Sequence, residues 1–328
     1  MRLSLTKTTA VFLTALTAWA GLSPALAQPA AWPQKPIRLL VGFPGGSTPD
    51  MAARAIAPKI SEQLKVPVII ENKPGASGNI ATDQTAKSSD GHTFGIVING
   101  NLTSAKMLYP KLPYEPAKDF SYISLIGTAP LILLSRNGLP AGKEFFSTAV
   151  QNASRLNYGS VGNGSVAHLG MELLADKVPG LKPTHIPYQG NTHVITALIA
   201  KEIDMALIPP GIALPQASAG KVQAIGATSE KASEIAPGIA PLSDLGIKGF
   251  NLEVWTAMVA PKNLPPADQE KMVRAVQTAL GDAGVRKQLV TAGWQAPDTP
   301  SPAQLQTLIE RETQLMKSII DSHQIRLD

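Results

Sequence analysis

The chain has 328 residues, 44% of them hydrophobic and 16% charged, with a formal charge of +5. That describes a globular chain able to bury a core, long enough for two domains of about 150 residues. It contains no cysteine, which excludes thiol catalysis, zinc–thiolate sites and lipid attachment through an N-terminal cysteine. The mild positive charge, with no basic run, makes no case for nucleic acid.

Residues 1–27 read as a secretory signal. A short start with Arg2 and Lys7 precedes an apolar stretch from Ala10 to Leu22, and Ala25-Leu26-Ala27 supplies small residues where a signal peptidase reads. The stretch is too short to cross a bilayer, which takes roughly 20 residues. The mature chain is expected to begin near Gln28 and to work in a periplasm-like space, with its charge lowered to +3 by the loss of Arg2 and Lys7.

Beyond the signal, short β-rich runs alternate with helical patterns, the mark of an α/β fold. Strands are expected over 37–41, 66–71, 93–98, 122–126, 131–135, 156–158, 184–188, 205–208, 222–228 and 254–259. Several are apolar on both parities, as buried parallel strands are. Thr48-Pro49-Asp50 predicts a helix start, with Thr48 as N-cap, and Ala52, Ile56, Ile60 and Leu64 then share a face. A helix follows Pro265-Pro266 with Met272, Val273, Val276 and Leu280 inward, and Ser301 to Gln304 is a capping box opening the last helix. No linker interrupts the pattern. The chain is expected to cross between two lobes near Thr128 and Trp255, giving segments 28–127, 128–255 and 256–328 after the signal.

Three strand-to-helix turns have the composition of ligand loops. Residues 43–48 (Phe-Pro-Gly-Gly-Ser-Thr) allow close backbone approach and end on a helix N-terminus, whose free N–H groups favour an anion. They are not a Walker motif. Residues 158–165 (Tyr-Gly-Ser-Val-Gly-Asn-Gly-Ser) place Ser165 as N-cap and His168 in the first turn, where the dipole disfavours a charged imidazole. Capping, ligand contact and a catalytic Ser–His pair are all compatible with this turn; the last lacks a G-x-S-x-G elbow. In residues 71–78, Pro74-Gly75 and Gly78 make turn formation a sufficient explanation. The other histidines show no metal-ligand spacing, so no metal and no cofactor is expected. Asn101-Leu102-Thr103 and Asn163-Gly164-Ser165 match the glycosylation triplet, which is common by chance.

Taken in order, these segments resemble the Bug (TctC-type) family, periplasmic solute receptors of tripartite tricarboxylate transporters. The resemblance spans the mature chain. It runs from Trp32-Pro33-Gln34-Lys35-Pro36-Ile37 through residues 43–50, 71–78, Leu112-Pro113-Tyr114-Glu115-Pro116, 158–169, Pro187-Tyr188-Gln189-Gly190 and Ala219-Gly220-Lys221 to Trp255. It implies an α/β, two-lobe type II periplasmic-binding-protein fold with a ligand cleft between the lobes. It also implies a small carboxylate ligand, membrane permease subunits as partners, and no catalysis. Carried over by position, the ligand contacts are Phe43, Gly45, Gly46, Ser47, Thr48, Asn101, Gly164, Ser165, His168, Ile208 and Pro209.

Two departures matter. Gly42 stands where the family often has proline, and Ser47 adds a hydroxyl. Ile208 and Pro209 are apolar where many relatives carry an acid or amide. An ammonium group would lack a counter-charge, which favours plain or aromatic carboxylates over amino acids. A monomer is expected. A receptor for a membrane sensor kinase would share fold and ligand, and an exported hydrolase using Ser165 and His168 is the alternative of another class.

Overall fold

The computed structural model describes residues 32–325, so the signal expected over residues 1–27 lies outside the described residues. Ten strands form two five-stranded sheets. Sheet 1 holds β1 (Ile37–Val41), β2 (Val68–Asn72), β3 (Thr93–Ile98), β4 (Phe120–Pro130) and β10 (Glu253–Pro261), in the order β2-β1-β3-β10-β4. Sheet 2 holds β5 (Ile132–Arg136), β6 (Asn157–Ser160), β7 (Thr184–Pro187), β8 (Met205–Ile208) and β9 (Val222–Ala227), in the order β7-β6-β8-β5-β9.

The sheets share one plan. Three parallel strands are followed by one antiparallel strand and an edge strand. The antiparallel position is filled in each sheet by a strand that enters from the other side: β5 directly follows β4, and β10 follows β9. Only β10 and β5 run against their sheets, while β4 and β9 run in the direction of the three parallel strands. β10 is apolar on both parities because it is flanked by two strands and covered on both faces, whichever way it runs.

The chain leaves sheet 1 just beyond Thr128 and rejoins it just before Trp255. One side chain ties the two passages together. Thr228 Oγ1 accepts from Leu131 N (2.8 Å) and donates to Leu252 O (2.5 Å), while its own backbone pairs with the same two residues.

Helices α1 (Thr48–Leu64), α2 (Asn79–Ala86), α3 (Asn99–Leu102) and α4 (Ala105–Leu108) belong to the first passage through sheet 1. α5 (Gly142–Gln151), α6 (Val166–Lys177), α7 (Asn191–Ile199) and α8 (Pro210–Ser218) accompany sheet 2. α9 (Pro266–Gly281), α10 (Ala283–Thr291) and α11 (Pro302–His323) complete the chain. α1 buries Ala52, Ile56 and Ile60 as its periodicity predicts, but Ser47, not Thr48, is the N-cap. Pro58 is tolerated within it. In the capping box Ser301 accepts from Gln304 N (3.2 Å), whereas Gln304 Oε1 has no partner, so half of the box is made.

α11 spans both lobes. Leu305 and Ile309 pack with Trp255 and Val97 of sheet 1. Met316, Ile319 and Ile320 join the core that includes Leu169 and Met171 of α6, and His323 meets Asp176 of α6 at 2.5 Å. Between the two apolar halves, Glu312 is buried, and its Oε2 accepts from Asn99 Nδ2 (3.2 Å). Burial raises its pKa to about 7 against the opposing pull of Asn99.

Candidate functional site

The loops after β1 and β6 occupy equivalent places in the two sheets, and they meet. Phe43 of the first loop packs with Ile98 and with Val161 of the second, a small apolar cluster shared by both lobes. At the foot of the first loop a Cβ on Gly42 would lie 2.6 Å from Gly78 Cα, so this approach of two backbones requires glycine.

Beyond Phe43 the first loop is organised by its own carboxylate. Asp50, fully buried, accepts from Gly46 N (2.8 Å), Arg54 Nε (2.9 Å), Arg54 Nη2 (3.0 Å) and Asn72 Nδ2 (2.9 Å). Burial pushes this carboxyl up, but the bonds from Arg54, the Gly46 amide and Asn72 together outweigh it and hold the pKa below the ordinary value. Gly45 and Gly46 are exposed. Ser47 is the N-cap of α1 in extended conformation, 1% exposed, and its hydroxyl has no partner. Thr48 contributes its carbonyl to Trp294 Nε1 (2.9 Å).

The second loop is held by neutral groups. Ser165 caps α6 by accepting from His168 N (3.3 Å). His168 is buried, and its Nδ1 accepts from Gly164 N (3.0 Å). Its ring stacks on His185 with centroids 4.1 Å apart and planes 11° apart, and His185 stacks in turn on Tyr158 at 4.9 Å. Burial lowers both imidazole pKa values, that of His185 to about 3 with His168 adding to the effect. His168 makes no bond to Ser165 Oγ through its ring. The geometry of a nucleophile and base is therefore lacking, and the hydrolase alternative fails.

Closure of one lobe on the other uses hydroxyls that sequence reasoning did not single out. Ser77 Oγ (3.2 Å) and Tyr109 OH (3.1 Å) donate to Asn163 O, and Ser104 Oγ donates to Gly164 O (2.7 Å). The turn over residues 75–78 is more than a turn: Ala76 (φ 46°) and Ser77 (φ 56°) are both left-handed, a strained backbone that aims Ser77 across the cleft. Asn101 maintains it, donating to Ser77 O (3.0 Å) and to Asn79 Oδ1 (2.8 Å) while accepting from Ile98 N (3.1 Å). Ile208 lies in the core of sheet 2, and Pro209 is the N-cap position of α8.

Asn101, Gly164 and Ser165 thus come together with Ser77, Ser104 and Tyr109 around a void of about 10 Å³, room for one water at most. It adjoins the same loops as a cavity of about 430 Å³ lined by Ala76, Ser77, Tyr109, Gly162, Asn163, Tyr188, Gln189 and His193. Among the described residues, no Lys, Arg, Asp or Glu lines either space.

Two α/β lobes that exchange a strand and bring the loops after their equivalent strands β1 and β6 together define a type II periplasmic-binding-protein fold. The family of tripartite tricarboxylate transporter receptors, TctC, matches residues 52–325, and the chain belongs to it. It is 37% identical over 251 residues to a UPF0065 protein of Bordetella pertussis, covering 76% of this chain and 77% of that one. Its fold superposes on the periplasmic binding protein BugD with a TM-score of 0.85 at 27% identity, over 90% of this chain and 100% of that one. R. palustris Rpa4515 with adipate gives a TM-score of 0.86 at 28% identity, over 90% and 100%. These are solute-binding proteins, a family of non-enzymes.

Proposed function

We propose that this receptor captures a small carboxylate, plain or aromatic, between its lobes and passes it to the membrane subunits of a tripartite tricarboxylate-type transporter. The observation that carries the reading is the meeting of the loops after β1 and β6, each leading into a helix N-terminus, beside a cleft edged by hydroxyls. Helix starts and uncharged donors suit an anion. Ser47 adds a buried hydroxyl without a partner, an arrangement that costs about 1–3 kcal/mol when nothing answers it. Adipate bound by a structural neighbour supports the ligand class. The neutral lining disfavours an ammonium group.

In this reading segments 28–127 and 256–328 form one lobe and 128–255 the other. They hinge near Thr128 and Trp255, and Phe43, Gly45, Gly46, Thr48 and Asn101 support the anion from the first side. The receptor is exported and cleaved after Ala27, so mass spectrometry of the periplasmic form should find an N-terminus at Gln28. Thermal unfolding of the mature protein against adipate, tricarboxylates and benzoate-type acids tests the ligand class. A ligand at 100 times its dissociation constant stabilises by about 2.7 kcal/mol. No shift with any carboxylate would reject the reading. Recovery of a sensor kinase in place of a permease from detergent-solubilised membranes would favour sensing over transport.

A further inference from the structure

His168 and His185 are two uncharged imidazoles stacked beneath a loop that both lobes use. The Asn163–Gly164 peptide is one rigid plane whose N–H and C=O point in opposite directions. Its N–H is received by His168 Nδ1 inside sheet 2's lobe, and its C=O receives Ser77 and Tyr109 from the other lobe. The acceptor that fixes one end of this plane therefore aims the other end. Two residues earlier, Gly162 N donates to Ser160 Oγ (3.1 Å), Ser160 also reaches Gly162 O (3.1 Å), and the same hydroxyl bonds His185 Nε2 (2.7 Å). Both flanks of Asn163 are thus anchored to one imidazole stack.

We propose that His168 and His185 are positioning residues of the receptor: His168 directly, and His185 through Ser160, set the Asn163 peptide against which the opposite lobe closes. This rests on the reading of the second loop as a ligand loop. Neither ring need touch the ligand to act. A charged His168 would carry a proton where Gly164 N–H now donates, so the loop geometry requires the neutral ring with hydrogen on Nε2. The titratable groups facing the pair are Tyr158 on β6 and Glu172 on α6, joined by a 2.6 Å bond, and His323 of α11 beside Glu172 at 3.9 Å. Tyr158 OH takes up one Glu172 oxygen, and burial keeps both imidazoles from charging.

The test needs no ligand. In the mature protein, long-range proton–nitrogen NMR correlations of the histidine rings should show His168 neutral with hydrogen on Nε2 at pH 7–8. Amide exchange of selectively labelled glycines reports the loop. His168→Leu should accelerate exchange at Gly164 by at least about tenfold, and His168→Asn, which keeps an acceptor at the Nδ1 position, should restore protection. His185→Leu should do the same at Gly162, with rescue by His185→Gln. Hydrogen on Nδ1 of His168, a charged ring at pH 7, unchanged glycine exchange, or failure of both rescues would each overturn the inference. Should the leucine variants not fold, the tautomer in the unmodified protein decides alone. A receptor with this tautomer and these exchange effects that binds no carboxylate would refute the proposed ligand and leave the positioning role standing.

Discussion

The loops after β1 and β6 stand at the same place in two sheets of the same plan, yet they are built by opposite electrostatics. The first is held by charge: a buried carboxylate gathers Gly46 N–H, Arg54 and Asn72 around itself. The second is held by rings and hydroxyls with no net charge: His168, Ser160 and the cap Ser165. An anion approaching the first loop meets an acid already seated at the start of α1, neutralised by Arg54. At the second it meets no charged side chain, but the amides of Gly162, Gly164 and Ser165 already donate within the loop and its helix. The contrast sets a loop made rigid by charge against one made rigid by neutral groups, with the Ser47 hydroxyl uncommitted in the first.

The most damaging way to break this contrast is Asp50→Ala. It takes the acceptor from Gly46 N–H and from Arg54 Nε, leaving Asn72 Nδ2 with Phe43 O alone, and should cost about 3 kcal/mol in urea unfolding. Because the folded pKa of Asp50 lies below its ordinary 3.8, its contribution is present above pH 3.8 and lost as pH falls through the folded value. The variant should therefore lose less stability on acidification than the parent.

Glu312 sharpens the comparison, being an acid whose charge burial opposes instead of one that cations gather around. With a folded pKa of about 7 against an ordinary 4.5, its favourable contribution is complete below pH 4.5 and lost as pH rises through about 7. The parent should weaken by about 2–3 kcal/mol across that window. Glu312→Gln should remove the slope and be the more stable protein at pH 8. An identical slope in the variant would mean that the acid stays charged.

Ser165→Ala removes a working cap, so it should cost the fold about 1 kcal/mol and weaken carboxylate binding roughly 10- to 100-fold, read by calorimetry. Ser47→Ala is the smallest change to the fold and the most selective. Its hydroxyl bonds nothing, so unfolding free energy should move by less than about 0.5 kcal/mol while affinity falls up to about tenfold. Equal affinity in both serine variants and the parent would leave the two loops as ordinary turns.

Much of this was legible before any coordinates. All ten strands sit within a few residues of where the apolar runs end at Gly, Pro and polar turns, because those signals are local. The helix starts at Ser165 and Ser301 follow from side-chain capping alone. Three things were not legible. The antiparallel seat of β10 depends on a partner more than a hundred residues away, which no local pattern encodes. His185 gave no signal as a histidine inside a strand; only its register opposite Tyr158 brings it to Ser160 and His168. Asp50 read as a first-turn acid favourable to the dipole, and its second use, closing the loop through Gly46, needs the chain to bend back on itself. Asn101 matched a glycosylation triplet, yet its amide is buried and already bonded to Ser77 and Asn79.

The place of β10 also governs timing. Edge strand β4 pairs with no strand of sheet 1 except β10, and β10 lies between residues 253 and 261 of a 328-residue chain. A chain delivered from its N-terminus therefore cannot finish its first sheet until roughly its last quarter has arrived. Sheet 2, whose strands are all contained between Ile132 and Ala227, is complete earlier. The lobe that begins first closes last.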